Sequence, residues 1–185
     1  MKTFTALFLV CLMPLLPTRA QDGWEHIREE DGVNVWAKET GGGEFYEIKA
    51  VTTAKTSVDG LVYALQQADN YTEWIYAAEK SRLLERLDNW TFRYYLLSDV
   101  PWPASDRDMV VRTKIRQGPD GTVKTDSRNV PSDIPPKDGV TRLAFLRASW
   151  TFRPLPDDKV EITYYGKLKP EAKLPGWLKD EIYNV

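Results

Sequence analysis

The sequence predicts an α+β domain, a curved antiparallel sheet with one central and one C-terminal helix. Three observations carry this reading. Most of the chain from Val33 to Lys169 falls into stretches whose apolar and polar residues alternate with period two. Asp88-Asn89, Pro119-Asp120-Gly121 and Pro154 to Asp158 punctuate them as hairpin signals. Helical spacing occurs in two places, after Ser57 and after Pro175.

Val33-Asn34-Val35-Trp36-Ala37 alternates and reads as a strand. Gly41-Gly42-Gly43 is a turn, and Phe45 to Thr53 is a second strand. Ser57 can cap a helix to about Asp69, with Val58, Leu61, Val62 and Leu65 on one face. Asn70-Tyr71-Thr72-Glu73-Trp74 follows as a short irregular or helical piece. Ser81–Leu87, Trp90–Asp99, Arg107–Gln117, Thr122–Val130, Thr141–Arg153 and Lys159–Lys169 read as six further strands. Pro131 to Pro136 is a loop. Pro175 suits the first position of a last helix running towards Val185. Such long strands make a strongly twisted sheet with a concave face.

Composition removes several chemistries. The chain has 185 residues, with 25 Lys+Arg against 27 Asp+Glu, one cysteine (Cys11) and one histidine (His26). A Cys or Cys/His metal site needs more such ligands, so no metal or cofactor is expected. A nucleophile–histidine system would rest on His26 alone, ahead of the first predicted strand, so no catalytic residue is assigned. A net charge of −2 argues against nucleic acid as a partner.

The first twenty residues have the order of a secretory signal peptide. Lys2 supplies the positive start, Phe4 to Leu16 the apolar run, and Thr18-Arg19-Ala20 the small residues before Gln21. The division is therefore 1–20 signal peptide and 21–185 domain. The expected location is the periplasm in a bacterial host and otherwise outside the cell. Loss of Lys2 and Arg19 leaves 23 basic against 27 acidic residues, a charge of −4, and no cysteine. Without disulfides the domain rests on its core.

Strand parity then sorts the faces. Phe92, Tyr94, Leu96 and Ser98 share one face, as do Met109, Val111, Thr113 and Ile115, then Val123, Thr125 and Ser127, and finally Ile162, Tyr164, Gly166 and Leu168. Arg93, Arg112, Lys114, Arg116 and Lys167 fall on the other, which reads as charged. A dry core prefers aliphatics over hydroxyls. An apolar face studded with Tyr94, Thr113, Thr125 and Tyr164 therefore suits an amphiphilic ligand. The candidate ligand-binding residues are Phe92, Tyr94, Leu96, Met109, Val111, Thr113, Thr125, Phe145, Arg147 and Tyr164. Arg147 adds a charge if it points inward.

Pro101-Trp102-Pro103-Ala104-Ser105-Asp106-Arg107-Asp108, after a long strand, resembles the Trp-Pro-Ala-Ser-x-Arg-Asp segment of START domains, the steroidogenic-acute-regulatory-protein-related lipid-transfer family. Asp31-Gly32-Val33, Asn70-Tyr71-Thr72-Glu73-Trp74, Ser81-Arg82-Leu83-Leu84-Glu85 and Thr163-Tyr164-Tyr165 follow the same family order. The resemblance covers roughly residues 24–185. It implies a helix-grip fold, in which the curved sheet wraps a C-terminal helix and one lipid or other hydrophobic small molecule fills the tunnel between them. It also implies a monomer in transient contact with a membrane. By the match to the ceramide-transfer member, Trp102 is a membrane anchor and Tyr164 bonds the ligand's polar head. Trp102 has a warrant of its own: an indole between two prolines is held on a stiff loop, and Trp favours the bilayer interface.

The chain departs from the family at three points. The charged pair of sterol-binding members falls on Tyr94 and Thr113. The Trp before the last helix is replaced by Lys173, and Trp177 one turn later is the second candidate for membrane contact. The closing helix, Pro175 to Val185, would be only ~16 Å long and looks short or truncated. Asp106, Arg107 and Asp108 read as a salt bridge holding the loop.

The expected function is non-enzymatic binding or transfer of a lipid or other hydrophobic ligand by an exported protein. The alternatives are a helix-grip enzyme of the cyclase or hydratase kind and a sensory domain with a vestigial pocket. The enzyme would need an acid or base on the inner face.

Overall fold

The alternating stretches pair into one sheet. The computed structural model describes residues 23–102 and 104–169. The predicted signal segment, Cys11, the final helix and Trp177 lie outside the described residues. The elements in chain order are β1 (Glu25–Glu30), β2 (Val33–Thr40), β3 (Phe45–Lys55), α1 (Val58–Gln66), a 3-10 helix (Ala68–Glu73), β4 (Ala78–Asp88), β5 (Thr91–Ser98), β6 (Asp106–Gln117), β7 (Val123–Asn129), β8 (Val140–Arg142), β9 (Phe145–Leu155) and β10 (Lys159–Lys169). The strand order is β1-β2-β3-β10-β9-β7-β6-β5-β4, all antiparallel, with the short β8 added in parallel to the start of β6. The α+β reading holds.

Local chemistry explains the joints. Asp31 and Gly32 turn β1 into β2 with φ of 49° and 77°. Two consecutive left-handed residues suit the twist of a tight hairpin, and Asp-Gly adopts them cheaply. Ser57 caps α1, its hydroxyl accepting from the Gly60 N–H at 3.0 Å, a contact worth ~1 kcal/mol. The predicted single helix to Asp69 is in fact two pieces, α1 and the 3-10 helix, with Gln67 between them in a non-helical conformation. β1 is not expected from the sequence, since Glu25–Glu30 carries one aliphatic residue among charges and is exposed except at its half-buried centre, Ile27 and Arg28.

The predicted strand over 141–153 is two strands. The break is held by Asn129, whose amide donates to the carbonyls of Leu143 (3.2 Å) and Ala144 (2.8 Å) and whose side-chain oxygen accepts from the Leu146 N–H at 2.9 Å. Leu143 and Leu146 both belong to the inner core, three residues apart rather than two. The break therefore slips the parity by one. That slip puts Leu146, Ala148, Trp150 and Phe152 on the inner face and turns Phe145 and Arg147 outward.

Two cores result. The larger lies on the inner face, where Phe92, Val111 and Phe152 are almost wholly buried against α1 and the 3-10 helix. Burial of side chains this large contributes ~1.5–3 kcal/mol each. The second lies on the outer face, where Tyr95, Leu97 and Val110 are covered by Val130, Ile134 and Val140. The outer face is therefore not simply charged. The segment from Val130 to Val140 supplies an apolar cover for it.

Candidate functional site

The inner face carries a cavity of about 560 Å³. Val33 and Val35 of β2 line it together with Tyr94 and Leu96 of β5. These strands stand six steps apart in the sheet order, which would be ~29 Å in a flat sheet. One cavity can meet both only because the sheet curls around it. The remaining wall comes from Met109, from Leu146 and Ala148, from Ile162 and Tyr164, and from the Trp74-Ile75-Tyr76 segment after the 3-10 helix.

The described lining holds no Asp, Glu, His, Lys, Arg or Cys. Its polar groups are the Tyr76, Tyr94 and Tyr164 phenols and the hydroxyls of Thr52 and Ser127. Burial raises the Tyr164 phenol above its ordinary pKa. Burial also raises Tyr94, the neighbouring Tyr164 adds to that, and a hydrogen bond with Thr113 opposes both. The Tyr94 and Tyr164 phenols are therefore neutral near pH 7. Among the described residues no hydrogen-bond partner meets the Tyr164 hydroxyl. Its ring stacks obliquely on Trp150, with centroids 4.7 Å apart, and folds over Gly166. A Cβ at position 166 would come within 2.8 Å of Tyr164 Oη. The glycine thus leaves room for the phenol to lie along the wall.

Beyond the cavity the aromatics continue. The Trp150 and Trp74 rings meet edge to face at 6.3 Å, Tyr71 meets Trp74 at 5.0 Å and Tyr94 meets Tyr71 at 4.9 Å. Tyr71 is anchored through its hydroxyl to the Leu65 carbonyl. Trp74, Trp150 and Ile162 also line a second apolar hollow of about 230 Å³ beneath α1. The two indoles are therefore a partition between a larger and a smaller space.

The ten predicted ligand-binding residues divide. Tyr94, Leu96, Met109 and Tyr164 line the main cavity. Thr113 lies below it in a small side hollow, where its hydroxyl pairs with Ser127 at 2.8 Å. The Thr125 hydroxyl accepts from the Trp150 backbone N–H at 2.9 Å. Phe92 and Val111 are packed core rather than wall. Phe145 and Arg147 are corrections, since the parity slip puts both on the outer face. There Phe145 packs edge-on against Phe45, and the Arg147 side chain is in solvent.

Sequence reasoning missed Trp74, Ile75 and Trp150. The alternation Leu146, Ala148, Trp150 was a usable signal, hidden by reading 141–153 as one strand. Ile75 and Trp74 come from an irregular segment with no periodicity to read.

Trp102 is 89% exposed on the loop between β5 and β6. That loop leaves the sheet beside the cavity, since the Leu96–Met109 cross-strand pair lines it. The Trp74–Tyr76 segment joins the same end, where the Asp99 N–H donates to the Ala77 carbonyl at 2.8 Å. The salt bridge expected within Asp106-Arg107-Asp108 is arranged otherwise. Asp108, 1% exposed, pairs through both oxygens with Arg142 of β8, at 2.9 and 2.7 Å, and accepts from the Tyr95 hydroxyl at 3.1 Å. Asp106 accepts from the Val100 N–H, and Arg107 donates to nearby carbonyls. Among the described residues no group of three or more His, Cys, Asp or Glu side chains could hold a metal ion.

No protein-family model matches the chain. An uncharacterized protein of Pseudomonas aeruginosa is 30% identical over 159 residues, covering 85% of this chain and 77% of its own length. Among solved structures, the STAR-related lipid transfer protein from Xanthomonas axonopodis is 27% identical, covers 86% of this chain and 89% of its own, and superposes with a TM-score of 0.77. Human StAR-related lipid transfer protein 5 shares the fold at 18% identity, with 90% and 81% covered and a TM-score of 0.71. With the Trp-Pro-Ala-Ser-Asp-Arg-Asp segment and the curled sheet around an apolar cavity, these likenesses show that the chain has the helix-grip fold of START domains.

Proposed function

We propose that this protein binds one lipid-like amphiphile in the main cavity and carries it to or from a membrane without chemical change. The observation that carries the reading is the lining itself: among the described residues, apolar side chains surround a phenol with no hydrogen-bond partner, and no charged group joins them. Apolar walls favour an aliphatic or ring system by burial. The Tyr164 hydroxyl supplies one directional contact for a polar head. The START family makes lipid transfer the natural context, and the lipid transfer named for the Xanthomonas protein is here a proposal for this chain.

Turnover is disfavoured on chemical grounds. A cyclase or hydratase needs a group that can give or take a proton near neutral pH, and the described wall carries hydroxyls, with Tyr94 and Tyr164 held neutral, in place of a carboxylate or imidazole. A vestigial pocket is disfavoured because the space is open rather than filled.

The exposed Trp102, with Trp74 and Tyr76 at 43% and 56% exposure, clusters at one end of the cavity. Aromatic side chains of this kind partition to the bilayer interface. They are the membrane contact in this proposal, and an exported, periplasmic or secreted setting rests on residues 1–20 alone. Native mass spectrometry of protein purified from its host should find one bound lipid per chain. Protein that stays empty in the presence of lipid extracts would overturn the reading. Trp102→Ala should weaken vesicle binding without lowering the melting temperature, and unchanged vesicle binding would remove the anchor.

A further inference from the structure

The face opposite the cavity carries a row of cations set by strand register. Arg93 of β5 lies opposite Arg112 of β6, Arg112 opposite Arg128 of β7, Arg128 opposite Arg147 of β9, and Arg147 opposite Lys167 of β10. Five basic residues thus stand side by side across four strand-to-strand steps, ~19 Å in all. Like charges directly opposite one another in a sheet are destabilising, so the row is not there to hold the sheet together.

Carboxylates neutralise only its ends. Glu85 pairs with Arg93 at 3.2 Å and Glu47 with Lys167 at 2.9 Å. Among the described residues no carboxylate forms a salt bridge with Arg112, Arg128 or Arg147. The Arg112 Nε is shielded from solvent and has no hydrogen-bond partner there. Next to the centre, Arg112, Lys114, Arg116 and Arg128 surround a small hollow that contains a single carboxylate, Asp126. A chain with net negative charge thus sets three guanidiniums without a salt bridge side by side at the middle of one sheet face.

We infer that this guanidinium row on the convex face is a docking site for an extended acidic polypeptide segment of a partner protein, lying across the strands. Guanidinium forks bind carboxylates through paired, charge-assisted hydrogen bonds. An extended chain rises ~3.4 Å per residue, so roughly six residues span the row. Shape decides against a bilayer. The row follows the direction in which the sheet curls, so a plane meets its middle and leaves its ends, whereas a flexible chain follows the curve. A single-stranded nucleic acid would gain most from stacking on aromatics, and none of the large exposed aromatic side chains belongs to the row. The site lies across the sheet from the cavity and does not depend on what the cavity holds.

The test uses the full chain and a fluorescent octaglutamate peptide, with binding followed by anisotropy at about 0.05 M and 0.5 M salt. Arg112→Gln/Arg128→Gln should bind the peptide roughly tenfold more weakly than the parent. It should melt no lower than the parent, because it removes like-charge pairs. Lys55→Gln/Lys159→Gln, an equal loss of charge away from the row, should bind as the parent does. Vesicles of phosphatidylglycerol and a single-stranded DNA oligomer are the competing ligands. Tighter, row-dependent binding to either would overturn the assignment to an acidic segment. No peptide binding at low salt, or equal loss in both double variants, would overturn the site.

Discussion

The two faces of the sheet hold their polar groups in opposite ways. On the concave face the polar groups are hydroxyls. Some are satisfied locally, as in the Thr113–Ser127 pair, and the one that faces the cavity at Tyr164 is not. On the convex face the two buried carboxylates among the described residues are ionised and closely paired. Asp108 is gripped by Arg142 and Tyr95, and Glu47 accepts from Thr40, Tyr165 and Lys167. A buried charge must be paired, whereas a neutral hydroxyl can be left for a ligand at modest cost. The convex carboxylates are therefore fixed by their partners, whereas the concave side keeps a hydroxyl for a ligand in its cavity.

The strongest way to break this contrast is Arg142→Ala. It leaves Asp108 buried without its cation, which should cost about 3 kcal/mol in urea unfolding. A loss below about 1 kcal/mol would show that the pair behaves like an exposed one.

Acid should act on the same face. The Arg142 hydrogen bonds hold the Asp108 carboxyl below its ordinary value, against the opposing effect of burial. For Glu47 burial pushes upward, but the Lys167, Thr40 and Tyr165 hydrogen bonds together outweigh it and leave the carboxyl lowered. A depressed carboxylate contributes stability that is present above its unfolded value near 4 and lost as pH falls through the folded value. Melting temperature should therefore fall below about pH 4. In Arg142→Ala the part due to Asp108 should vanish. The concave phenols respond at the other extreme. A raised phenol contributes stability present below its unfolded value near 10 and lost as pH rises through the folded one. Tyr164→Phe and Tyr94→Phe should flatten only the alkaline limb.

Two smaller effects sharpen the concave side. Trp74→Ala removes one leaf of the partition and should join the 560 and 230 Å³ spaces. The expected shift is towards amphiphiles with longer chains, by about 1 kcal/mol or fivefold in relative affinity, measured across an acyl-chain series. An unchanged length preference would mean that the indoles do not limit the cavity. Tyr164→Phe should lower ligand affinity about fivefold. Its stability at neutral pH should change by less than about 0.5 kcal/mol, since no partner among the described residues is lost.

Much of the fold was legible because alternation and turn chemistry are local. The β4–β5, β6–β7 and β9–β10 hairpins, the Ser57 cap and the inward placement of Tyr94, Met109 and Tyr164 follow from period two and a few turn residues. The failures were equally physical. One side-chain clamp from Asn129 slipped the parity of β9, which misplaced Phe145 and Arg147 and concealed Trp150. Phe92 and Val111 were assigned to the correct face but lie in its packed part, and parity does not say where packing ends and a cavity begins.

By itself the sequence determined which residues alternate, which turns are tight, and that the inner face is uncharged and hydroxyl-bearing. Tertiary structure decided how far the sheet curls, which inner residues border open space, and which cation Asp108 takes. It also aligned arginines from four strands into one row. Those outcomes depend on contacts between residues far apart in the chain, where the register of one strand against the next sets the neighbours and no local pattern encodes it.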